Sequence, residues 1–507
     1  KNKMEKISSR GFDMIVAGKL NETFLQLSCD KHIAYELNEY FSFLVPNHQF
    51  HPKVRAKMWD GKIRLFNMQT GQLYLGLLPY LKEWSEKHSY QLKTDIVDAK
   101  HLKEGDIDKI KEFFDSLNLP CKGKQITPRD YQIASFLHCI KSDRALLLSP
   151  TSSGKSLVIY ALLRWYQRFL DEDKMLVIVP TTNLVTQMYG DFDDYSSQDE
   201  WNVEEQCHKI YSGKEKNEKQ PIYISTWQSL YKQPKEYFEQ FSLIVGDEAH
   251  LATAQSLKSI LEKSTSCRYR FGTTGTLTDC KTHKLVLEGL FGKTYKAITS
   301  KELMDEKHIS KLNIQCLQLE YPEEERKALT KATYQEEIDF IVSHRKRNNF
   351  ICNLALDQKG NTLILFNYIE KHGKVLLKLL LEKVKDRQIF FIAGETDVEQ
   401  REEIRKATEE EKNAVIVASS GVLSTGVNIK NLQYLIFAHP YKAKIRNLQS
   451  IGRVLRLDDK ENKAVLYDII DDLHWKKHDN YGLKHWKERL NIYLKEKFDY
   501  DYNLIPL

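Results

Sequence analysis

Short apolar runs alternate with longer mixed stretches along most of this chain, and the alternation restarts twice. Up to Leu119, apolar and polar positions alternate at 24–27 and 63–66, with turn signals at Pro46-Asn47 and Asp60-Gly61. Half-buried strands joined by tight turns predict a small α+β module. From Cys121 to Ser310 the runs are almost wholly apolar, at 145–148, 176–179, 222–224, 243–245 and 270–272, and helical stretches lie between them. Such alternation predicts parallel crossover units with the ligand at the C-terminal ends of the strands. The pattern restarts at Lys311 with 314–319, passes through a charged helix over 323–344, and continues at 362–366, 389–392, 414–418, 434–437 and 464–468. Beyond Leu473 the chain is rich in Lys, Trp and Tyr, and a helical tail is predicted. The reading is α/β: two tandem parallel-sheet domains, 120–310 and 311–507, preceded by a small α+β module, 1–119.

Composition narrows the class. The 507 residues are 41% apolar and 29% charged, as in ordinary soluble proteins. No run approaches the roughly 18 apolar residues of a membrane span, and residues 1–6 lack the hydrophobic core of a targeting segment. Eight scattered cysteines include no Cys-x-x-Cys, so reduced thiols in a cytoplasmic setting are expected. A net charge of +6 permits an acidic partner without demanding one.

Two segments carry chemistry. Pro150-Thr151-Ser152-Ser153-Gly154-Lys155-Ser156 follows one apolar strand and opens an apolar helix over 157–169. In that context the loop and helix N-terminus point N–H groups at phosphates; Lys155 reaches the β- and γ-phosphates, and the Ser156 hydroxyl ligates Mg²⁺. Asp247-Glu248-Ala249-His250 ends a second strand. Asp247 supplies a further Mg²⁺ contact, and Glu248 polarises the attacking water. Together they specify hydrolysis of a nucleoside triphosphate.

The second α/β domain has no phosphate loop but carries Gln449-Ser450-Ile451-Gly452-Arg453-Val454-Leu455-Arg456, with two arginines one helical turn apart. This segment resembles the Gln-x-x-Gly-Arg-x-x-Arg motif of superfamily 2 helicases, and other elements follow in that family's order. Arg129-Asp130-Tyr131-Gln132 resembles the adenine-recognising element. Pro180 to Leu184 and Ser225-Thr226-Trp227-Gln228 resemble strand-contact motifs, Thr273-Thr274-Gly275 the coupling motif, and Ser424-Thr425-Gly426 the element shared by nucleic acid and nucleotide. The resemblance spans 125–470. Departures are modest: Ser149 replaces a Gly or Ala, and Thr273-Thr274-Gly275 resembles the variants of DNA-directed branches. Thr226-Trp227-Gln228, His250 to Thr253 and Trp59 to Leu65 resemble the phage UvsW-type branch-migration subgroup.

The resemblance implies two RecA-like domains with ATP and Mg²⁺ in a cleft that closes during turnover. Lys155, Ser156, Asp247 and Glu248 would line one wall; Gly426, Gln449, Arg453 and Arg456 would line the other, the arginines acting as fingers on the γ-phosphate. Arg129 and Gln132 would hold the base, and His250 and Thr274 would couple nucleotide to strand. Thr182, Thr226, Gln228 and Thr425 would hold DNA phosphates without reading bases. In the N-terminal module, Lys53, Arg55, Lys57, Lys62 and Arg64 surround Trp59, a pattern suited to duplex backbone near a junction or, alternatively, to a solvated hairpin over a core tryptophan. The implied partner is branched DNA, forks and four-way junctions, worked on by a monomer encoded by a phage and acting in host cytoplasm. RNA unwinding, and a duplex translocase or restriction-type motor subunit, stay open as alternatives.

Overall fold

The computed structural model describes residues 14–45, 48–96, 104–121, 123–150, 153–170, 173–211, 218–250, 255–275, 277, 281–298, 302, 312–393, 411–420, 432–440, 464–495 and 498–507. Packing divides the chain into two units, Lys1–Ser149 with Gly154–Ala297 and Pro150–Ser153 with Ile298–Leu507.

Among its described residues the first unit holds two large sheets and two small two-stranded ribbons. Five short strands, β1 (Met14–Lys19), β2 (Phe24–Ser28), β5 (Phe66–Asn67), β6 (Gln72–Tyr74) and β7 (Gln91–Thr94), pair in the order β5-β6-β2-β1-β7, while β3 (Ser42–Leu44) and β4 (Lys62–Arg64) form a separate ribbon. After the small β8 (Pro120–Cys121) and β9 (Lys124–Gln125) pair comes a seven-stranded parallel sheet. It contains β10 (Arg144–Leu148), β11 (Lys174–Val179), β12 (Cys207–Ile210), β13 (Ile222–Thr226), β14 (Phe241–Gly246), β15 (Tyr269–Thr274) and β16 (Thr294–Lys296), ordered β12-β13-β11-β14-β15-β10-β16.

The two faces of that sheet explain why its strands read as continuous apolar runs. Successive side chains point to opposite faces, and both faces are covered. Ala145, Leu147, Val177, Val179, Leu243 and Val245 pack under the helices Asp130–Ser142, Lys155–Tyr166 and Thr182–Ser196. The helix Glu104–Ser116 joins this face through Ile110, Phe113 and Phe114, with Phe113 stacked 5.9 Å from Phe136. On the other face, Leu146, Leu176, Ile178 and Ile244 form one cluster with the N-terminal module's Ile15, Leu25, Leu73, Leu77 and Trp84. The module and the first α/β domain thus share a core.

The second unit is a seven-stranded parallel sheet ordered β19-β20-β18-β21-β22-β17-β23, from β17 (Leu312–Glu320), β18 (Thr362–Phe366), β19 (Ile389–Ile392), β20 (Val415–Ser419), β21 (Tyr434–Phe437), β22 (Ala464–Asp472) and β23 (Tyr500–Pro506). Two buried arginines fix its helices. Arg347 meets Asp471 at 2.6 and 2.9 Å, and Arg489 meets Asp468 at 3.0 and 2.8 Å. Two expectations are corrected here. The charged helix over 323–344 is two helices, Glu323–Ala328 and Tyr334–Ser343, because Thr333 forms a capping box with Glu336 and restarts the helix. The helical tail is a helix, Tyr481–Lys495, followed by β23, which pairs in parallel with β17.

Candidate active site

Strand order brings the two chemical segments together. β11 lies beside β14, and β14 beside β15, which in turn pairs with β10, so Ser149 and Gly154, on either side of the predicted phosphate loop, and the carboxylates after β14 emerge at the C-terminal edge of one sheet. The loop is pinned to that edge where the Ser149 N–H donates to the Thr274 carbonyl at 2.9 Å.

Gly154 sits at φ +78°, and a Cβ there would lie 2.2 Å from Gln132 Nε2, so only glycine suits both the turn and the contact. The helix Lys155–Tyr166 begins at once and has no side-chain cap, so the Lys155 and Ser156 N–H groups, ahead of the Leu157 N–H that donates to the Gly154 carbonyl, suit an anion. Ser153 Oγ closes the turn by donating to the Pro150 carbonyl at 2.7 Å. Ser156 Oγ lies 3.0 Å from Tyr195 OH.

Lys155 Nζ reaches Glu248 Oε1 at 3.0 Å, while His250 Nδ1 stands 3.3 Å from Glu248 Oε2 and 2.9 Å from Thr274 Oγ1. Thr273 Oγ1 donates to Asp247 Oδ1 at 2.5 Å. Adjacent threonines on one strand face opposite ways, so the pair Thr273-Thr274 serves the two halves of the acidic segment separately. Glu248 adopts φ +49°, a left-handed conformation uncommon outside glycine and often held at functional sites by surrounding contacts.

The electrostatics separate the two carboxyls. Burial, then the neighbouring Glu248 charge, raises the Asp247 carboxyl above its ordinary range. Burial would raise Glu248 too, but the Lys155 ammonium and the His250 hydrogen bond outweigh it and hold that group low. Glu248 is therefore the firmly ionised member. Ser156 and Asp247 offer hard oxygens, the donor type magnesium takes, and a single carboxylate suits an ion whose other ligands are phosphate and water. Among the described residues no group of three or more His, Cys, Asp or Glu could hold a metal without such help.

Gln132 is 5% exposed, with Oε1 accepting from the Arg129 N–H at 2.8 Å, and the Arg129 guanidinium bonds Tyr131 OH at 2.8 Å. Of the strand-contact residues, Thr182 and Gln228 are exposed on the first unit, whereas Thr226 is buried with its hydroxyl 2.9 Å from Ser229 Oγ. In the N-terminal module, Lys62 pairs with Glu39 and Arg64 with Asp60, while Lys53 and Arg55 have no carboxylate partner among the described residues. Trp59 is partly buried, donating to the Lys62 carbonyl at 3.0 Å with its ring edge on His51. Thr151, Ser152, Thr425, Gly426, Gln449, Arg453 and Arg456 lie outside the described residues. Sequence reasoning missed the Thr273–Asp247 bond and the Tyr195–Ser156 contact. Only the Thr-Thr adjacency gave a signal for the first, and nothing local pointed to the second.

Comparison with known proteins places this geometry. Residues 20–95 match the family described as DNA helicase UvsW, N-terminal; 125–279 match the type III restriction enzyme res subunit; and 346–458 match the helicase conserved C-terminal domain. The chain is 36% identical to the ATP-dependent DNA helicase uvsW of Enterobacteria phage T4 over 495 residues, covering 94% of this chain and 96% of that one. It is 26% identical to the DNA 3'-5' translocase XPB2 of Sulfurisphaera tokodaii, covering 73% and 88%. The crystal structure of T4 UvsW superposes with a TM-score of 0.51 at 33% identity, covering 97% of this chain and 99% of that one.

Proposed function

This chain belongs to the UvsW family of DNA helicases, and on that premise we propose that it uses ATP hydrolysis to unwind and branch-migrate forked and four-way DNA. The observation that carries the chemistry is the continuous contact from Lys155 through Glu248 and His250 to Thr274. Lys155 and the uncapped helix N-terminus hold the phosphates. Ionised Glu248 orients and polarises the attacking water once Lys155 turns to the γ-phosphate. A magnesium ion held by Ser156 and Asp247 would neutralise phosphate charge as the bond breaks. Arg129 and Gln132 are assigned to the base and, on their motif alone, Gln449, Arg453 and Arg456 to the γ-phosphate, with Gly426 beside the nucleotide. When phosphate replaces Glu248 as the partner of Lys155, the His250–Thr274 contact is free to rearrange, which links turnover to the strand side.

We assign Thr182, Gln228 and Thr425 to the DNA backbone and the 48–64 segment of the N-terminal module to duplex near the branch, while Thr226, buried with its hydroxyl on Ser229, braces the strand end instead of meeting DNA. Lys53, Arg55 and Lys57 have no carboxylate partner among the described residues, and Phe50 and Met58 beside them are 63% and 77% exposed. Cations around exposed apolar side chains suit backbone contact combined with insertion at a distorted step. The protein is taken to act as a monomer in the cytoplasm of a phage host; among the described residues no helix could cross a membrane. A panel of ATPase and strand-separation assays over single strands, forks and four-way junctions, with matched RNA duplexes, tests the proposal. Preferential unwinding of RNA, or no response to branched DNA, overturns it. A second reading, translocation along duplex without strand separation, is favoured by the likeness to the DNA translocase XPB2, and triplex displacement without unwinding would select it.

A further inference from the structure

Two neighbouring strands of the first α/β domain carry the nucleotide machinery at their C-terminal ends, β10 leading to the phosphate loop and β15 ending in Thr273 and Thr274. Each carries an arginine near its start, Arg270 fully buried and Arg144 with its side chain 11% exposed, and these are register partners, Arg144 opposite Arg270. Both guanidinium groups reach one turn of the N-terminal module. Arg144 Nη2 donates to the Glu22 carbonyl and stands 3.4 Å from its carboxylate. Arg270 Nη2 donates to Thr23 Oγ1 at 2.7 Å.

The remaining Arg270 donors cap the helix downstream of the acidic segment. Nη1 meets the Leu261 carbonyl at 3.0 Å, Nε meets the Cys267 carbonyl at 3.1 Å, and Nη2 also meets the Ser264 carbonyl. Glu22 N–H in turn donates to the Thr265 carbonyl at 2.9 Å. Arg270 therefore joins three things: the coupling strand, the end of the helix Gln255–Lys263 that comes after Asp247–His250, and the N-terminal module.

Such a junction is an odd choice if cohesion were all that mattered. The module already shares a large apolar core with this domain, and apolar contact is non-directional. Two buried guanidiniums near a single carboxylate cost desolvation that apolar residues would avoid. What they add is direction, because hydrogen bonds weaken steeply when bent or stretched. An apolar face tolerates sliding; this bonded turn resists it.

We propose that the Glu22-Thr23 turn, held by Arg144 and Arg270, is the joint through which movement of the nucleotide-bearing strands β10 and β15 is passed to the N-terminal module. Thr23, Arg144 and Arg270 are positioning residues, not catalytic ones. This rests on the helicase reading above, with the module engaging branched DNA.

The test uses the full chain and the ratio of branched DNA unwound to ATP hydrolysed. Thr23→Val keeps the shape and removes the hydroxyl; unwinding per ATP should fall about tenfold, while single-strand-stimulated ATPase stays within about twofold of wild type. Thr23→Ser, which restores the hydroxyl, should recover the ratio. Leu77→Val trims the same apolar core at a residue with no hydrogen bond to the turn among the described residues, and should leave the ratio unchanged. An unchanged ratio in Thr23→Val, equal loss in Leu77→Val, or parallel loss of both activities overturns the joint. A wild-type chain that hydrolyses ATP but unwinds no branched DNA overturns the helicase reading and the joint with it.

Discussion

Replacing Lys155 with alanine removes more than the proposed phosphate ligand. Its ammonium lies 3.0 Å from Glu248, with the two side chains only 12% and 18% exposed. At an effective dielectric constant near 20, that attraction is about 5–6 kcal/mol before desolvation. Breaking a buried pair by deleting one partner typically costs about 3–5 kcal/mol, and residual solvent access trims this to about 2–3 kcal/mol. The loss is aggravated because Asp247 and Glu248 are then two buried carboxyls with one fewer cation. Lys155→Ala should therefore lower the thermal midpoint of the first unit by several degrees, about 2–4 °C per kcal/mol for a domain of this size. Glu248→Gln should be close to neutral, since it relieves the carboxyl repulsion as it loses the pair. The double variant should be more stable than Lys155→Ala alone by about 1–2 kcal/mol, a coupling read directly from the cycle. Melts followed by tryptophan fluorescence, with ATP turnover measured alongside, supply the assay. A double variant no more stable than Lys155→Ala refutes the electrostatic account, and retained hydrolysis in Lys155→Ala refutes the nucleotide-site assignment.

Three further outcomes are expected. Gly154→Ala places a methyl 2.2 Å from Gln132 Nε2 at φ +78°, so stability should drop by about 1–2 kcal/mol and kcat/KM for ATP should fall with it. Changing Lys53, Arg55 and Lys57 together to glutamine should lower the slope of log affinity against log salt for duplex DNA by about 2–3; an unchanged slope removes these residues from the interface. His439 is held at about 3 by burial, below its ordinary 6.5. The unfolded chain therefore takes up this proton first, and the stability is whole above pH 6.5 and is lost as pH falls toward 3, at about 1.4 kcal/mol per pH unit. Urea denaturation of His439→Asn between pH 6 and 4 should show a slope shallower by about that amount.

The apolar runs announce the two parallel sheets because a strand covered on both faces has no room for polar alternation. They also conceal which residues meet which face, since Leu146 and Leu147 look alike in sequence yet belong to different cores. β23 is illegible for a similar reason. Its residues are mostly exposed and mixed in character, and its place is set by pairing with β17 nearly two hundred residues earlier. The break at Leu329–Thr333 is local chemistry, a Thr-x-x-Glu box lying in a run of charges that reads as one helix.

The sequence by itself determined the chemistry: a phosphate loop, a pair of carboxylates and the order of the motifs around them. These depend on residue types at short spacing, which local backbone geometry converts into function with little help. Tertiary structure decided the partnerships. Glu248 is held ionised because Lys155, 93 residues earlier in the chain, is brought against it beside the nearby His250. Thr273 and Thr274 divide between Asp247 and His250 because β15 lies next to β14. Glu22 and Thr23 look like an ordinary polar turn until two arginines more than a hundred residues away close on them. No spacing encodes such contacts, because they arise only when the sheet is assembled and its strand ends are brought together.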